Sequence, residues 1–152
     1  MIEQQDVHWM RIALKEAAIA ASLGEVPVGA VLVQNNQLLS QAHNTRESDH
    51  KVSSHAEIKA IDLASQSHKS WRFPEATLYV TVEPCLMCTG AILQSQIKRI
   101  VFGTREPKTG AMVSILHVEK IPNLPRVAIQ EGVLQHECEQ LMTSFFGGKR
   151  EP

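Results

Sequence analysis

Three residues of the sequence carry side chains that bind zinc well: His55, Cys85 and Cys88, of which the two cysteines form a Cys-x-x-Cys pair. Zinc prefers imidazole and thiolate ligands, and three protein ligands leave a fourth position open to water, which is typical of a catalytic site. At such a site the metal lowers the pKa of water enough to supply hydroxide near neutral pH. The pattern therefore predicts one catalytic zinc ion held by these three side chains.

Glu57 stands two residues after His55, close enough in sequence to reach this water without being a ligand. A carboxylate in that place can accept a proton from the water and return it to the substrate and its leaving group, which is general acid and base catalysis. We therefore expect a hydrolytic enzyme in which Glu57 moves the protons.

Each of these residues also has an interpretation without catalysis. Ser54 and Glu57 have the spacing of a capping box, in which Glu57 only bonds the backbone at the start of a helix. The Cys-x-x-Cys pair is also compatible with a redox pair, or with half of a structural zinc site that Cys138 and a histidine complete. Cys138 falls on the apolar stripe of the last predicted helix, which favours a buried core position for it.

Hydrophobic periodicity and turn residues predict strands that alternate with helices. The predicted strands are 28–33, 38–42, 77–82, 99–102 and 127–130, and the predicted helices are 9–23, 54–67, 85–95 and 134–146, with a short helix near 113–118 and a polar loop over 43–51. The last helix is expected to end at Gly147-Gly148. This alternation predicts an α/β fold, a three-layer α/β/α sandwich around a five-stranded mixed sheet.

Two of the predicted helices begin at the residues that carry the chemistry. His55 opens one helix, and Cys85 opens another directly after Pro84, which suits the start of a helix because it lacks a backbone donor. The N-terminus of a helix favours the negative charge of a thiolate. In such a sandwich two helix starts can meet at one edge of the sheet, which would bring the three predicted ligands together.

The composition limits the partners that the protein can attract. A chain of 152 residues, 43% of them hydrophobic, is expected to form one domain over 1–152. Fifteen basic and sixteen acidic residues give a net charge of -1, so any contact with nucleic acid must come from a local patch. Three cysteines that cannot all pair, and the lack of a signal or membrane-spanning pattern, predict a cytoplasmic protein with no membrane association.

The segments His55-Ala56-Glu57 and Pro84-Cys85-Leu86-Met87-Cys88 resemble the signature of the cytidine and deoxycytidylate deaminase superfamily. Within it the chain is most similar to the bacterial tRNA-specific adenosine deaminases, and the resemblance covers nearly the whole chain. The stretches that carry it are 25–33, 54–60, 76–85, 108–111 and 126–138, with the closing Phe145-Phe146. The resemblance implies a cytidine deaminase-like fold, which agrees with the predicted order of elements.

The resemblance implies that the chain deaminates adenosine to inosine at the wobble position of the anticodon of an arginine tRNA. It also implies that the protein is a homodimer with one Zn²⁺ per subunit. It implies further that Asn44 hydrogen-bonds the adenine, that Val28 and Ala30 line the pocket floor, and that the backbone around Ala56 and Cys85 contacts the base or the water. The residues expected at the RNA rim are Arg105, Glu106, Lys108, Phe145, Phe146, Lys149 and Arg150. Glu106 stands where the family often carries an aspartate.

Two other functions remain open at this point. A deaminase of a free base or nucleotide such as guanine or cytosine would use the same zinc chemistry in a closed pocket. Lys149 and Arg150 after two aromatic residues favour an open, basic rim instead. A non-catalytic RNA-binding module with a structural zinc would have no need of Glu57.

Overall fold

The computed structural model describes residues 2–150, and their side chains as far as Gly147. Five helices are present among these residues: α1 (Gln4–Ser22), α2 (Arg46–Asp49), α3 (Ala56–His68), α4 (Leu86–Gln94) and α5 (Gln135–Arg150). Five strands accompany them: β1 (Gly29–Gln34), β2 (Gln37–His43), β3 (Ala76–Val82), β4 (Arg99–Thr104) and β5 (Ala128–Glu131). The predicted RNA contacts Lys149 and Arg150 have side chains outside the described residues.

The strands form one mixed sheet in the order β2-β1-β3-β4-β5. β1 pairs antiparallel with β2 and β3, whereas β3, β4 and β5 run parallel to one another. The predicted hairpin of β1 and β2 is confirmed, and its two turn residues Asn35 and Asn36 have φ values of 52° and 57°. A two-residue hairpin turn of type I′ needs positive φ at both positions, and asparagine tolerates it better than most residues.

Both faces of the sheet are covered, which confirms the predicted three-layer sandwich. Alternate residues of β1 point to opposite faces. Val31 and Val33 pack with Trp9 and Met10 of α1, and Cys138 of α5 belongs to the same cluster. The other face carries the larger core, in which residues of β1, β3 and β4 pack against apolar residues of α3 and α4. Of the helices in the described part of the chain, none is long and apolar enough to cross a membrane.

Several predicted element boundaries are wrong. α1 begins five residues earlier than predicted, because Glu3 and Asp6 form a capping box at its start. The loop over 43–51 contains the short helix α2. α5 continues through Gly147 to Arg150, since glycine weakens a helix without ending it. The predicted helix near 113–118 is absent, and the described chain has only a 3-10 turn at Val118–Lys120 there.

Ser54 does not cap α3, which corrects the predicted capping box. The N-cap of α3 is His55, and the Ser54 hydroxyl donates instead to Asp49 Oδ2 at 2.8 Å. Because the helix begins one residue later than the capping box requires, Glu57 is its second residue and not its third. Glu57 therefore does not form a capping box with Ser54.

A buried ion pair joins α1 to the sheet. The carboxylate of Asp6 is fully buried and accepts hydrogen bonds of 2.8 Å from both terminal nitrogens of Arg99 and from the Tyr79 hydroxyl. Burial raises the pKa of Asp6, but the hydrogen bonds from Arg99, the Glu3 backbone and Tyr79 together bring that pKa below its ordinary value of 3.8. The ionised carboxylate is thus the form that the folded protein favours.

Asp6→Asn is expected to lower the free energy of unfolding at neutral pH by about 3 kcal/mol, because it removes the buried negative charge 2.8 Å from the Arg99 guanidinium. The lowered pKa means that this stabilisation is fully present above about pH 4 and is lost as the pH falls through the folded-state pKa. Denaturant titrations between pH 7 and pH 2 should therefore show a shallower acid dependence for the variant. Parallel acid dependences would contradict this role, and Glu75→Gln, at an exposed site, is the control.

Candidate active site

His55, Cys85 and Cys88 meet where two helices begin. His55 is the N-cap of α3, Cys85 is the N-cap of α4, and Cys88 lies in the first turn of α4. Their ligand atoms all lie within 4.8 Å of one another, close enough to share a metal ion. The predicted convergence of two helix starts is therefore present in the fold.

The donor spacing fits a tetrahedral zinc ion. Nδ1 of His55 lies 3.6 Å from Cys85 Sγ and 3.5 Å from Cys88 Sγ. An ion with ordinary Zn–N and Zn–S bond lengths and tetrahedral angles would separate nitrogen and sulfur by roughly 3.5 Å. The imidazole and thiol donor set and its spacing thus fit the metal that the sequence predicts.

The two thiols are electrostatically unlike each other. A hydrogen bond from Cys88 lowers the pKa of Cys85 to about 3, against the opposing effect of burial and with help from His55. The same hydrogen bond, together with burial and the nearby Glu57 charge, raises the pKa of Cys88. Cys85 is consequently the thiolate of the pair, and a cation between the two sulfurs would favour deprotonation of both.

Glu57 lies beside these ligands with an unused oxygen. The residue is only 4% exposed, and its Oε1 is buried without a hydrogen-bond partner among the described residues. Burial raises the pKa of Glu57 to about 7, although its own backbone N–H and the charge of His55 act in the opposite direction. A carboxyl group of this kind can both accept and donate a proton near neutral pH.

His55, Cys85 and Glu57 line an open cavity of about 770 Å³. Its inner part is formed by His55, Ala56, Glu57, Cys85, Val28 and Asn44. Its rim is formed by Arg46 and Glu47 of α2, by Glu106, Lys108 and Thr109 of the loop after β4, and by Met142, Thr143, Phe146 and Gly147 of α5. A volume of this size accommodates a small-molecule ligand or a nucleoside.

Asn44 presents a fixed amide to the cavity. Its Oδ1 accepts the backbone N–H of Arg46 at 3.2 Å, and its Nδ2 donates to the carbonyl of Val26 at 3.3 Å. The side chain is largely buried. Because both ends of the amide are held, its orientation towards the cavity is determined before any ligand arrives.

The other predicted site residues are divided between the cavity and the rest of the fold. Ala30 has no exposed surface and belongs to the core, outside the residues that line the cavity. Arg105 lies at the edge of the loop after β4, where it forms a double hydrogen bond of 2.7 and 3.0 Å with Glu131. Phe146 is 40% exposed and lines the cavity, and its ring makes an edge-to-face contact with the ring of Phe145.

Two buried carboxylates at the site were missed by the sequence reasoning. Glu25 accepts the backbone N–H groups of Glu47 and Ser48 at 3.0 and 2.7 Å and the Ser48 hydroxyl at 2.7 Å, so it holds the start of α2 against the cavity. Burial raises the pKa of Glu25, but the hydrogen bonds from Ser48 and Glu47 bring it below its ordinary value.

Glu83 holds the opposite rim in the same way. Its carboxylate accepts backbone N–H groups of the loop after β4, from Glu106, Met112, Val113 and Ser114. A Cβ at Gly110 would lie 2.4 Å from Glu83 Cδ, so this position in the loop requires glycine. These bonds fix the backbone of residues 112–114 against Glu83. The signal available in the sequence was an acidic residue directly after a buried strand, which needs a partner.

Comparisons with known proteins agree with this geometry. The family model of the MafB19-like deaminases matches residues 4–147. The chain is 42% identical to the tRNA-specific adenosine deaminase of Bacillus subtilis (strain 168) over 145 residues, which cover 93% of this chain and 89% of that protein. A solved structure from studies of A-to-I editing by tRNA:A34 deaminases at the wobble position has a TM-score of 0.86 at 36% identity, covering 88% of this chain and 98% of that chain. The guanine deaminase from Nitrosomonas europaea has a TM-score of 0.80 at 17% identity, covering 93% of this chain and 84% of that chain, and shares the fold alone.

Proposed function

Since this chain belongs to the tRNA-specific adenosine deaminase family, we propose that it converts adenosine to inosine at the wobble position of a tRNA anticodon. The observation that carries the proposal is the buried, partnerless oxygen of Glu57 beside a three-ligand metal site in an open cavity. A structural metal site would have no use for such a carboxyl group.

In this proposal His55, Cys85 and Cys88 hold one Zn²⁺ per subunit, which when bound supplies Lewis acidity that lowers the pKa of water. Glu57 accepts the water proton and delivers it to N1 of the adenine as the water oxygen adds to C6. Glu57 then carries the second proton to the amino group, so that the C6–N bond breaks and ammonia leaves. Its pKa of about 7 suits both directions of transfer.

The base is held by the inner wall of the cavity. Asn44 offers an oriented amide to the edge of the adenine, while Val28 and the backbone at Ala56 pack against its face. An adenine in an anticodon loop is already unpaired, so turning it into this cavity costs only its stacking. Lys108 and Phe146 at the rim are suited to neighbouring phosphates and bases of the loop.

We further propose that a homodimer carries this activity, from a single deaminase domain spanning 1–152. The support is a set of exposed apolar residues away from the cavity lining, on α3, at the start of α4 and in the loop before β5. They are Leu63, Leu86, Ile115, Leu116, Ile121 and Leu124. A contiguous exposed apolar patch is typical of a surface that a partner covers. An RNA substrate and three free cysteines fit a cytoplasmic location.

The substrate assignment predicts that an anticodon stem-loop of an arginine tRNA with adenosine at the wobble position is converted to inosine. We expect free adenosine to react at least about a thousandfold less efficiently, because the binding energy from the surrounding loop is then missing. Nucleoside analysis of timed reactions with the zinc-loaded protein measures both rates. Free guanine and free cytosine are parallel substrates in the same assay.

Turnover of free adenosine at a rate comparable to that of the stem-loop would contradict the tRNA assignment and leave the hydrolytic mechanism intact. Preferential turnover of guanine or cytosine would favour the small-molecule alternative. A stem-loop with guanosine at the wobble position controls for reaction elsewhere in the RNA.

A further inference from the structure

A guanidinium group lies beside the metal ligand His55 at the mouth of the cavity. Nη1 of Arg46 is 3.4 Å from Nε2 of His55, and both residues line the cavity. The backbone of Arg46 is held by the Asn44 side chain, and the two residues after it are held by Glu25. Arg46 therefore projects from a fixed backbone position.

These two nitrogens are both hydrogen-bond donors when the metal site is formed. His55 directs Nδ1 to the two sulfurs, and a metal-binding imidazole carries its proton on the other nitrogen, here Nε2. A guanidinium has donors and no acceptor. Two donors at this distance cannot satisfy each other, so an acceptor from outside the pair must serve both.

The described residues do not supply that acceptor. A histidine that binds a metal usually donates its second N–H to a carboxylate, a carbonyl or water. In the described part of the chain Arg46 has no acidic partner within ion-pair distance. Glu47 follows it directly on α2, and adjacent helical residues do not face each other. The acceptor thus comes from a ligand or from solvent.

An anionic oxygen of the substrate meets this requirement best. Because the two nitrogens are 3.4 Å apart at the cavity wall, one oxygen can lie about 2.8 Å from each, and a charged acceptor strengthens both hydrogen bonds. The RNA backbone brings one phosphate with every nucleotide, whereas a free nucleobase or nucleoside brings none. The position beside a metal ligand places such a phosphate next to the reacting nucleotide.

We propose that Arg46 and Nε2 of His55 together bind a non-bridging oxygen of a phosphate that adjoins the flipped nucleotide. This proposal rests on the proposed function, because it takes RNA as the substrate. The contact fixes the RNA backbone against the metal site, so it contributes to the preference for a nucleotide within a strand over a free nucleoside.

The contact is tested by measuring the affinity of the zinc-loaded protein for the anticodon stem-loop. Every protein compared carries Glu57→Gln, so that the RNA is bound without being deaminated. Adding Arg46→Gln should weaken binding roughly tenfold or more, as expected for loss of a charged hydrogen bond. The slope of log K against log salt concentration should fall by about 0.7, the value for one phosphate contact on a single strand. Arg46→Lys should keep the slope and recover part of the affinity. Arg11→Gln, at an exposed site on α1, is the matched control and should change neither quantity.

A neutral methylphosphonate at each phosphate flanking the wobble adenosine locates the partner. At one of these positions the methylphosphonate should weaken binding to the protein that retains Arg46 by about the same factor as the Arg46→Gln substitution does. The same methylphosphonate should cause little further loss of binding to the Arg46→Gln protein. Equal effects of Arg46→Gln and Arg11→Gln, or full additivity at both flanking phosphates, would show that Arg46 meets only solvent and would overturn the proposal. Failure of the proposed function is distinguishable, because the stem-loop would then be neither bound nor deaminated by the protein with Glu57 intact.

Discussion

The Glu57→Gln protein is expected to keep its metal and to lose deamination by about a thousandfold or more. Glutamine has nearly the shape of glutamate but cannot accept the water proton, and positioned proton transfer accounts for roughly 10² to 10⁴ in rate. The site has no described group besides Glu57 with a buried carboxyl oxygen left without a partner. Single-turnover inosine formation and metal analysis of the same preparation measure the two quantities together.

The matched control for this variant is Asp62→Asn, which makes the same chemical change on an exposed side chain of α3 outside the cavity lining. It should keep both metal and activity. Retention of activity within about tenfold in Glu57→Gln would show that Glu57 does not transfer the protons. Loss of the metal from Glu57→Gln would instead make the carboxylate a ligand and close the position that water needs.

Removal of a single sulfur ligand should abolish both metal binding and activity. Cys88→Ala deletes a buried sulfur 3.5 Å from Nδ1 of His55, and two remaining ligands hold zinc far more weakly than three. After dialysis against a weak chelator we expect metal content near zero, and deamination reduced on the order of 10³-fold or more, because the water is no longer activated. Metal analysis and the stem-loop assay check these outcomes.

Cys138→Ala provides the control, because it removes the third cysteine from a different place in the fold. Cys138 is buried with Trp9 and Met10 on the other side of the sheet. Its sulfur occupies the space that a Cβ on Gly103 would enter, which is a packing role. The variant should keep its metal even if it unfolds at a lower temperature. Loss of metal from Cys138→Ala would revive the structural zinc site that the sequence left open.

The pair of predicted sulfur ligands could be recognised in the sequence because its information is local. Two cysteines three positions apart on the first turn of a helix face the same point, and Pro84 marks where that helix begins. The strands and helices were predictable for a similar reason, since their hydrophobic periods are written in consecutive residues. The turn at Asn35-Asn36 likewise depends on the backbone preferences of two neighbouring residues.

The role of Glu57 could not be decided from the neighbouring residues alone. Ser54 and Glu57 match the capping-box pattern, and a local reading cannot tell whether that box forms. In the fold the Ser54 hydroxyl donates to Asp49, His55 is the N-cap and the helix begins at Ala56, and one carboxyl oxygen of Glu57 is left without a partner among the described residues. A shift of one residue at a helix start thus separates a cap from a candidate catalytic group.

The rim of the cavity depended on contacts between distant segments. Glu25 binds the backbone of α2 more than twenty residues away, and Glu83 binds a loop up to thirty-one residues away. A carboxylate that serves as a backbone anchor has no sequence period, because its partners are N–H groups that every residue except proline possesses.

Residue order alone was therefore sufficient for the order of the five strands and the main helices, for the three residues that could hold a metal ion, and for the family. Packing of the sheet and its flanking helices was needed to select which oxygen stays unpaired, which loops are anchored and which residues reach the cavity. The physical reason is that periodicity and ligand chemistry are properties of neighbouring residues, whereas burial and hydrogen-bond competition arise only when remote segments share the same space.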